Sequence, residues 1–491
     1  MFQKPAFIAI SAVLLCGSAV AQDAKTVIAN AQKALGDLKS ITYSGSAKDV
    51  AFQQCGANST DMICKSTHDP MRPINDYVRV IDLTAPASRH TGTTNNIGAG
   101  GSTTLTPGVF FQQVTAQQAD VSQPWANSLE FYITPWGFLK GAGENNATAS
   151  HKKVEGKNYT VLTWSPTVKA PSGKNYVING YIDDHNMVDR VETWLGENIM
   201  GDMHILAVYS GWKDFGGVMA PSKIVQTRGG WPFFEVNVTA AKANPPDVAT
   251  LVPAPAGRGR GGAGGGAPPA PAPLTVTSEK LGDGLYRLTT GPGSYDSVIV
   301  EFKDYIMMLE AGQSEQRALA YVAKTKELIP NKPIRYVMNT HPHSDHTGGL
   351  PVLVAEGATI ITQKNNESFL SKALNTPRTL MNDTLAKNPK KAKIEVVEEK
   401  KVYSDGTRTV EMYHIFPAPH SNGLIIAYIP KEKVLFQGDF SVNPGEPAND
   451  HVKALVPVLE KLNLDFDRYI NVHTSAAPQY KADVWKAMGK S

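Results

Sequence analysis

Residues 340–349 read Thr-His-Pro-His-Ser-Asp-His-Thr-Gly-Gly, an H-x-H-x-D-H order carried by His341, His343, Asp345 and His346. Imidazole nitrogens and a carboxylate are the donors that zinc and neighbouring metals favour. Two donors on one short loop reach one ion, and the next two reach another. A polar surface loop with clustered histidines is the plain alternative, but it offers no reason for so packed an order. The chemistry implied is hydrolysis. Two nearby cations lower the pKa of a water between them and deliver hydroxide near neutral pH. Asp345 then has two roles, as a ligand and as the catalytic carboxylate that holds or accepts the water's proton.

Three later segments carry the donors such a centre still needs. Pro417-Ala418-Pro419-His420-Ser421-Asn422-Gly423 is a turn between two strand-like runs, from which His420 can join His341 and His343. An apolar run ends in Gly438-Asp439, where a carboxylate can bridge two cations. Tyr469-Ile470-Asn471-Val472-His473 ends in a histidine that completes a second set with Asp345 and His346. Singly, each is weak, because a lone histidine is more often structural and Asp439 could be a plain turn residue. Together they put every donor at a strand end in one half of the chain. The expected ligands are therefore His341, His343, Asp345, His346, His420, Asp439 and His473. The expected cofactor is two Zn2+ per chain, with other divalent metals or iron as alternatives. His414 and His451 are left without a role.

The elements that must position these donors follow from the local pattern. Ile334–Met338 is a short β-branched and aromatic run between Pro333 and Asn339, and predicts a buried strand with the donor loop at its C-terminal end. Thr347-Gly348-Gly349 is expected to let the backbone pass close to the metals. Leu350–Glu356 then reads as a helix ended by Gly357. Further strands are expected at 285–289, 297–302, 305–310, 359–362, 409–416, 424–429 and 434–437. Helices are expected at 315–328, 367–374, 450–462 and 480–488. Two sheets flanked by helices, an αββα sandwich, accommodate that order. Residues 364–392 and the loop at 443–449 are the expected pocket walls.

With these residues in hand, the chain from about Leu281 to the C-terminus resembles the metallo-β-lactamase superfamily. His341, His343, Asp345 and His346 match its metal loop, and His420, Asp439 and His473 match its later ligand positions in order. The resemblance implies the αββα fold and two zinc ions. Two departures stand out. The family's early strand usually ends in Asp-x-Gly, whereas Glu310-Ala311-Gly312 offers a glutamate, expected to orient a ligand from behind. Val472 replaces the usual glycine before the last histidine. True β-lactamases of the family generally lack an aspartate at the place of Asp439. It is common in thioesterase-, lactonase- and phosphodiesterase-like members. Cleavage of an ester, lactone or thioester is therefore expected, with β-lactam, phosphodiester or sulfate ester hydrolysis as alternatives. The same ligand set can hold iron for redox chemistry, which usually needs an electron partner such as a flavin domain. No Gly-rich nucleotide loop supports one.

The rest of the chain is organised differently. Its 491 residues exceed a typical single core. A net charge of +3 is too mild to argue for nucleic acid, and a small molecule is the expected partner. Lys4, an apolar run too short to span a membrane and Ala19-Val20-Ala21 read as a signal peptide over 1–21, so export to the periplasm or beyond is expected. A lipid anchor on Cys16 is the alternative, although Leu15 is large for the position before it. Cys55 and Cys64 suit a disulfide in an exported protein. Residues 251–275 are Gly- and Pro-rich and read as a linker between a β-rich part at 22–250 and the metal-bearing part at 276–491. The first part opens with one amphipathic helix carrying Val27, Ile28, Ala31, Ala34, Leu35 and Leu38. Strand-like runs follow at 77–83, 131–134, 159–164, 176–183, 188–195, 205–209 and 233–238. Six of the seven tryptophans lie in this part. Its shape resembles the curved-sheet domains of periplasmic lipoprotein carriers, so an aromatic core and a lipid- or polymer-binding cavity are both open readings. Its histidines, His68, His90, His151, His185 and His204, show no ligand spacing. The fold class expected overall is α+β.

Overall fold

Helix Ala24–Leu35 buries Val27, Ile28, Ala31 and Leu35, which share one helical face, and stops at Gly36, whose φ of 101° closes the end in the left-handed region. It packs on an antiparallel sheet of eleven strands. Their spatial order is Leu105–Thr115, Ala87–Ile97, Arg72–Asp82, Ser40–Asp49, Trp231–Ala243, Met219–Arg228, Gly201–Asp214, Val188–Glu197, Ile178–Ile182, Lys157–Trp164 and Thr148–Val154. Gly201–Asp214 shows why one face is the core: Met203, Ile205, Ala207 and Tyr209 are buried, and the residues between them are not. The computed structural model describes residues 23–49, 71–97, 105–115, 124–252, 274–291, 295–418, 420–442, 448, 450–473, 479–487 and 489. The segment expected to be a signal peptide, Cys55, Cys64, His68 and most of the expected linker lie outside these residues.

The single leading helix expected here is joined by two more. Residues 131–134, read as a strand, instead end helix Pro124–Tyr132 and start helix Pro135–Glu144. Thr134 caps the second helix, accepting from the Gly137 N–H at 3.1 Å, and Pro135 fits its first turn. The strand preference of Phe-Tyr-Ile is overruled because Trp125, Leu129, Phe131 and Phe138 all bury completely against the sheet. Rings occupy its inward face closely. A Cβ on Gly180 would sit 2.1 Å from the edge of Phe138, so only glycine admits that ring.

From Thr277 onward, two sheets stack. The first runs Thr277–Gly282, Leu285–Thr289, Ser297–Glu301, Ile306–Leu309, Ile334–Met338, Thr359–Gln363 and Lys393–Val397, its last four strands parallel. The second runs Lys400–Ser404, Thr409–His414, Ile425–Ile429, Val434–Gln437, Arg468–Asn471 and Gln479–Tyr480. Ile306–Leu309 is buried on both faces. Met307 and Leu309 meet Phe436, Ile425 and Ile470 between the sheets, while Ile306 and Met308 face the helices Glu315–Leu328 and Leu350–Glu356. Each such side chain contributes roughly 1.5–3 kcal/mol by burial. Helices Asp450–Leu462 and Lys481–Ala487 cover the far face of the second sheet. The order is the expected αββα sandwich. The helix layer on the first sheet is not solvent-facing throughout. Leu374, Leu380 and Leu385 share one continuous apolar cluster with Leu195, Ile199 and Met200 of the eleven-stranded sheet. Among the described residues no helix is long and apolar enough to cross a membrane.

Candidate metal centre

Strand Ile334–Met338 delivers its chain to a tight loop because Asn339 holds it. The Asn339 amide donates to His341 O at 2.8 Å and His346 O at 3.1 Å, tying both ends of the loop to its start. Asp345 and His346 sit on the single turn Ser344–Thr347. The glycines that follow, expected from the sequence to let the backbone pass close to the metals, meet other backbone. They let the loop pass over the backbone that follows strand Ile306–Leu309. A Cβ on Gly348 would lie 1.9 Å from Gln313 O, and one on Gly349 would lie 2.3 Å from Ala311 O.

The other donors arrive from the second sheet. His420 follows Thr409–His414, Asp439 follows Val434–Gln437 and His473 follows Arg468–Asn471. The His420 turn is held by His414, whose Nε2 donates to Asn422 O at 2.9 Å, and by Asn366, which donates to Gly423 O at 2.7 Å. His414, left without a role by the sequence, therefore shapes this turn. Gly438 is needed before Asp439, since a Cβ there would lie 2.9 Å from Thr340 Oγ1. Val472 uses its side chain in the core between the sheets, and its carbonyl accepts from Asp296 N at 2.7 Å, which holds the approach to His473.

All seven residues meet. Ligand atoms of His341, His343, His420 and Asp439 lie within 4.8 Å of one another, as do those of Asp345, His346 and His473. Asp439 faces both groups. Its Oδ2 is 2.9 Å from His420 Nε2 and 3.8 Å from His341 Nε2. Its Oδ1 is 2.8 Å from both His346 Nε2 and His473 Nε2. Glu310, at a left-handed φ of 67°, accepts from Thr340 N at 2.5 Å and places its other oxygen 3.4 Å from His346 Nδ1. That contact holds the ring with Nε2 toward the centre.

The donor set fits cations. His341 Nε2 lies 3.0 Å from His343 Nδ1 and 2.9 Å from His420 Nε2. His341 Nε2 offers either one proton or one lone pair, so it cannot satisfy both neighbouring nitrogens by hydrogen bonding. The three nitrogens are spaced close to the ~3.3 Å edge of a tetrahedron of nitrogens around one zinc ion. Asp439 Oδ1, buried beside two imidazoles, makes no hydrogen bond of good geometry among the described residues. At His341 and Asp439 the electrostatics agree. Burial drives His341 well below the ordinary imidazole range, and His346 and His343 push it further. Burial would also lower His346, but the Asp439 and Glu310 carboxylates hold it well above that range. Burial would raise Asp439, yet His346, His341 and His420 keep it well below the carboxylate range. A neutral His341 lone pair and an ionised Asp439 are what a cation binds.

The sequence reading missed two neighbours. Tyr295 lies edge-on to His473 with ring centroids 4.7 Å apart, and burial followed by the nearby Asp345 carboxylate raises its hydroxyl above the ordinary phenol range. The Arg317 guanidinium sits 5.3 Å from the Tyr295 ring, with Nε and Nη1 buried and without a hydrogen-bond partner among the described residues. The only signal for Tyr295 was its place after Gly291-Pro292-Gly293-Ser294. The expected pocket wall at 364–392 is partly corrected. Asn365 and Asn366 support the His420 turn, whereas the backbone of Thr379 and Leu380 is engaged by Asp202 of the eleven-stranded sheet. The loop at 443–447 lies outside the described residues. Asp183, Asp184 and His185 also cluster, on a turn where the Asp183 carboxylate accepts from His185 N and Met187 N, which accounts for them without a ligand.

Residues 290–485 match the family model described as the metallo-beta-lactamase superfamily. Among solved structures the chain is similar to a metallo-beta-lactamase from Pontibacter korlensis, at 14% identity over 44% of this chain and 98% of that one, with a TM-score of 0.34. It is similar to the DIM-1 metallo-beta-lactamase at 16% identity over 44% of this chain and 95% of that one, TM-score 0.33. A third similarity is to the stereoselective inverting sec-alkylsulfatase Pisa1 from Pseudomonas sp., at 16% identity over 43% of this chain and 41% of that one, TM-score 0.34.

Proposed function

Because residues 290–485 form a metallo-β-lactamase superfamily domain, a metal-dependent hydrolase, we propose that this chain is an exported dinuclear zinc enzyme that cleaves an ester, lactone or thioester. The proposed organisation is a signal peptide at 1–21, a β-rich part at 22–250, a linker at 251–275 and the hydrolase at 276–491. The carrying observation is the position of Asp439, with one oxygen toward His341 and His420 and the other toward His346 and His473. One cation would be held by His341, His343, His420 and Asp439, and the other by Asp345, His346, His473 and Asp439. Bound there, the pair would supply Lewis acidity and acidify water.

The chain's own groups divide the remaining work. Asp345, with Oδ2 3.5 Å from His473 Nε2, is the carboxylate that receives the water's proton. The Tyr295 hydroxyl, raised by burial and then by the Asp345 carboxylate near it, would donate to Asp345 and keep that carboxylate aimed. Glu310 fixes His346 from behind, and Thr340 Oγ1, 3.1 Å from His341 Nδ1, does the same for His341. The preference for acyl substrates over β-lactams rests on Asp439 and on the resemblance that links it to thioesterase- and lactonase-like members.

A panel of chromogenic ester, lactone, thioester, phosphodiester, alkyl sulfate and cephalosporin substrates, run with and without chelator beside elemental analysis, tests this reading. Zinc with chelator-sensitive acyl hydrolysis is expected. Iron with visible colour, or a cephalosporin as the best substrate, would overturn it.

A further inference from the structure

The turn between strands Val188–Glu197 and Gly201–Asp214 belongs to the first half of the chain, yet it ends against the donor loop of the second. The turn is shaped by its own residues: Glu197 accepts from Ile199 N at 2.8 Å and Met200 N at 2.7 Å. It is then clamped from outside. Asp202 N donates to Pro377 O at 2.7 Å, and its carboxylate accepts from Thr379 N at 2.8 Å and Leu380 N at 2.9 Å. Arg378 donates to Asn198 O at 2.6 Å while pairing with the buried Asp383. Two glycines permit the approach, since a Cβ on Gly201 would lie 2.6 Å from Pro377 O and one on Gly196 2.6 Å from Met381 Sδ. A turn held this way leaves Asn198 little freedom, and its side-chain amide donates to Gly348 O at 2.9 Å.

Gly348 lies two residues after His346. Its other side rests on Gln313 O, and Gly349 N donates to Gly312 O at 2.8 Å. The exit of the donor loop is therefore gripped between the second half's own backbone and a side chain from the first half. The single turn Ser344–Thr347, which carries Asp345 and His346, is too short to hold its position by itself.

We propose that the eleven-stranded sheet is a fixed wall of the metal loop, and that Asn198 is a positioning residue for the ion held by Asp345, His346 and His473. This inference rests on the two-metal reading. It makes the first half part of the hydrolytic unit rather than a tethered carrier.

The test uses the full chain, loaded with cobalt(II), and reads ion affinities by chelator competition together with the cobalt absorption spectrum. Asn198→Ala removes the donor. Asn198→Asp keeps its shape while replacing the amide, so it serves if the alanine variant fails to fold. Lys372→Ala is the control. Its ammonium donates to Gly229 O at 2.8 Å and lies 4.1 Å from the Trp231 ring, a docking contact with Gly229 and Trp231 rather than with the donor loop. Loss of one positioning hydrogen bond is expected to weaken one of the two ions roughly three- to tenfold and shift its spectrum, leaving the other unchanged. Lys372→Ala is expected to lower thermal stability with both affinities intact. Folded Asn198 variants with wild-type affinities and spectrum would overturn the proposal, as would equal losses in Lys372→Ala. A wild-type chain that takes up no cobalt would instead sink the two-metal reading, before any variant is made.

Discussion

Both halves of the chain bury charge, and they do so in opposite ways. Between helix Pro124–Tyr132 and the eleven-stranded sheet, Glu130 accepts from Arg228 at 2.9 Å and faces Arg79, which in turn donates to Ser88 at 2.9 Å, and Tyr77 meets His90 at 3.2 Å. Cations face an anion there, and donors face acceptors. At the strand ends of the sandwich, nitrogens face nitrogens: His341 Nε2 meets His343 and His420, and His346 meets His473. In the first arrangement each charge meets an opposite one, although Arg228 Nε and Gln226 Nε2 are buried without a hydrogen-bond partner among the described residues. The second makes sense only around something positively charged. Buried polar density by itself does not mark a site; the mismatch of donors and acceptors does.

The sharpest break of that contrast is at Asp439. Asp439→Ala is expected to lose both ions and to cut hydrolysis at least about a thousandfold with the fold retained, measured by metal content, kcat/KM and circular dichroism. Unchanged metal content would put the two clusters in the same class. Glu130→Ala removes the anion from between two arginines. It is expected to cost about 3–5 kcal/mol in denaturant unfolding, with metal content per folded chain unchanged. A full-stability Glu130→Ala chain would mean that the first cluster is not a closed network. Glu310→Gln keeps an acceptor for Thr340 N but removes the charge behind His346. It is expected to weaken metal binding about ten- to a hundredfold by chelator competition.

The smallest effect concerns pH. Burial alone would raise Glu192, but hydrogen bonds from His204, Tyr181 and Asn179 outweigh it and hold it at about 2, against a usual 4.5. A carboxyl depressed on folding adds stability that is present above its unfolded pKa and lost as pH falls through its folded one. Stability of the first half should therefore decline as pH drops from about 4.5 toward 2, and Glu192→Gln should flatten that part of the profile. An equally steep profile in the variant would assign the decline to other groups.

Legibility also differed between the halves. Ile334–Met338, Leu350–Glu356 and Glu315–Leu328 begin and end where their residues predict, because Pro333, Gly357 and the Ser314 cap mark the boundaries locally. Strands Ala87–Ile97 and Leu105–Thr115 escaped notice. They are rich in Thr, Asn, Gly and Gln, and are strands because each pairs with a neighbour along its length. At the site, four donors on one loop were readable together. Tyr295 and Asn198 were not, since nothing local to either residue refers to Asp345 or Gly348.

The amino-acid order alone determined which atoms are available as donors and that they fall at strand ends, because those depend on residue type and on patterns a few positions long. Only the tertiary structure decided that His341 meets His420 from 79 residues away and His346 meets His473 from 127. It also decided that Asp439 lies between the two groups, and that the first half leans on the loop of the second. Those outcomes depend on how two sheets stack and on which backbone can approach which, and long-range packing sets both.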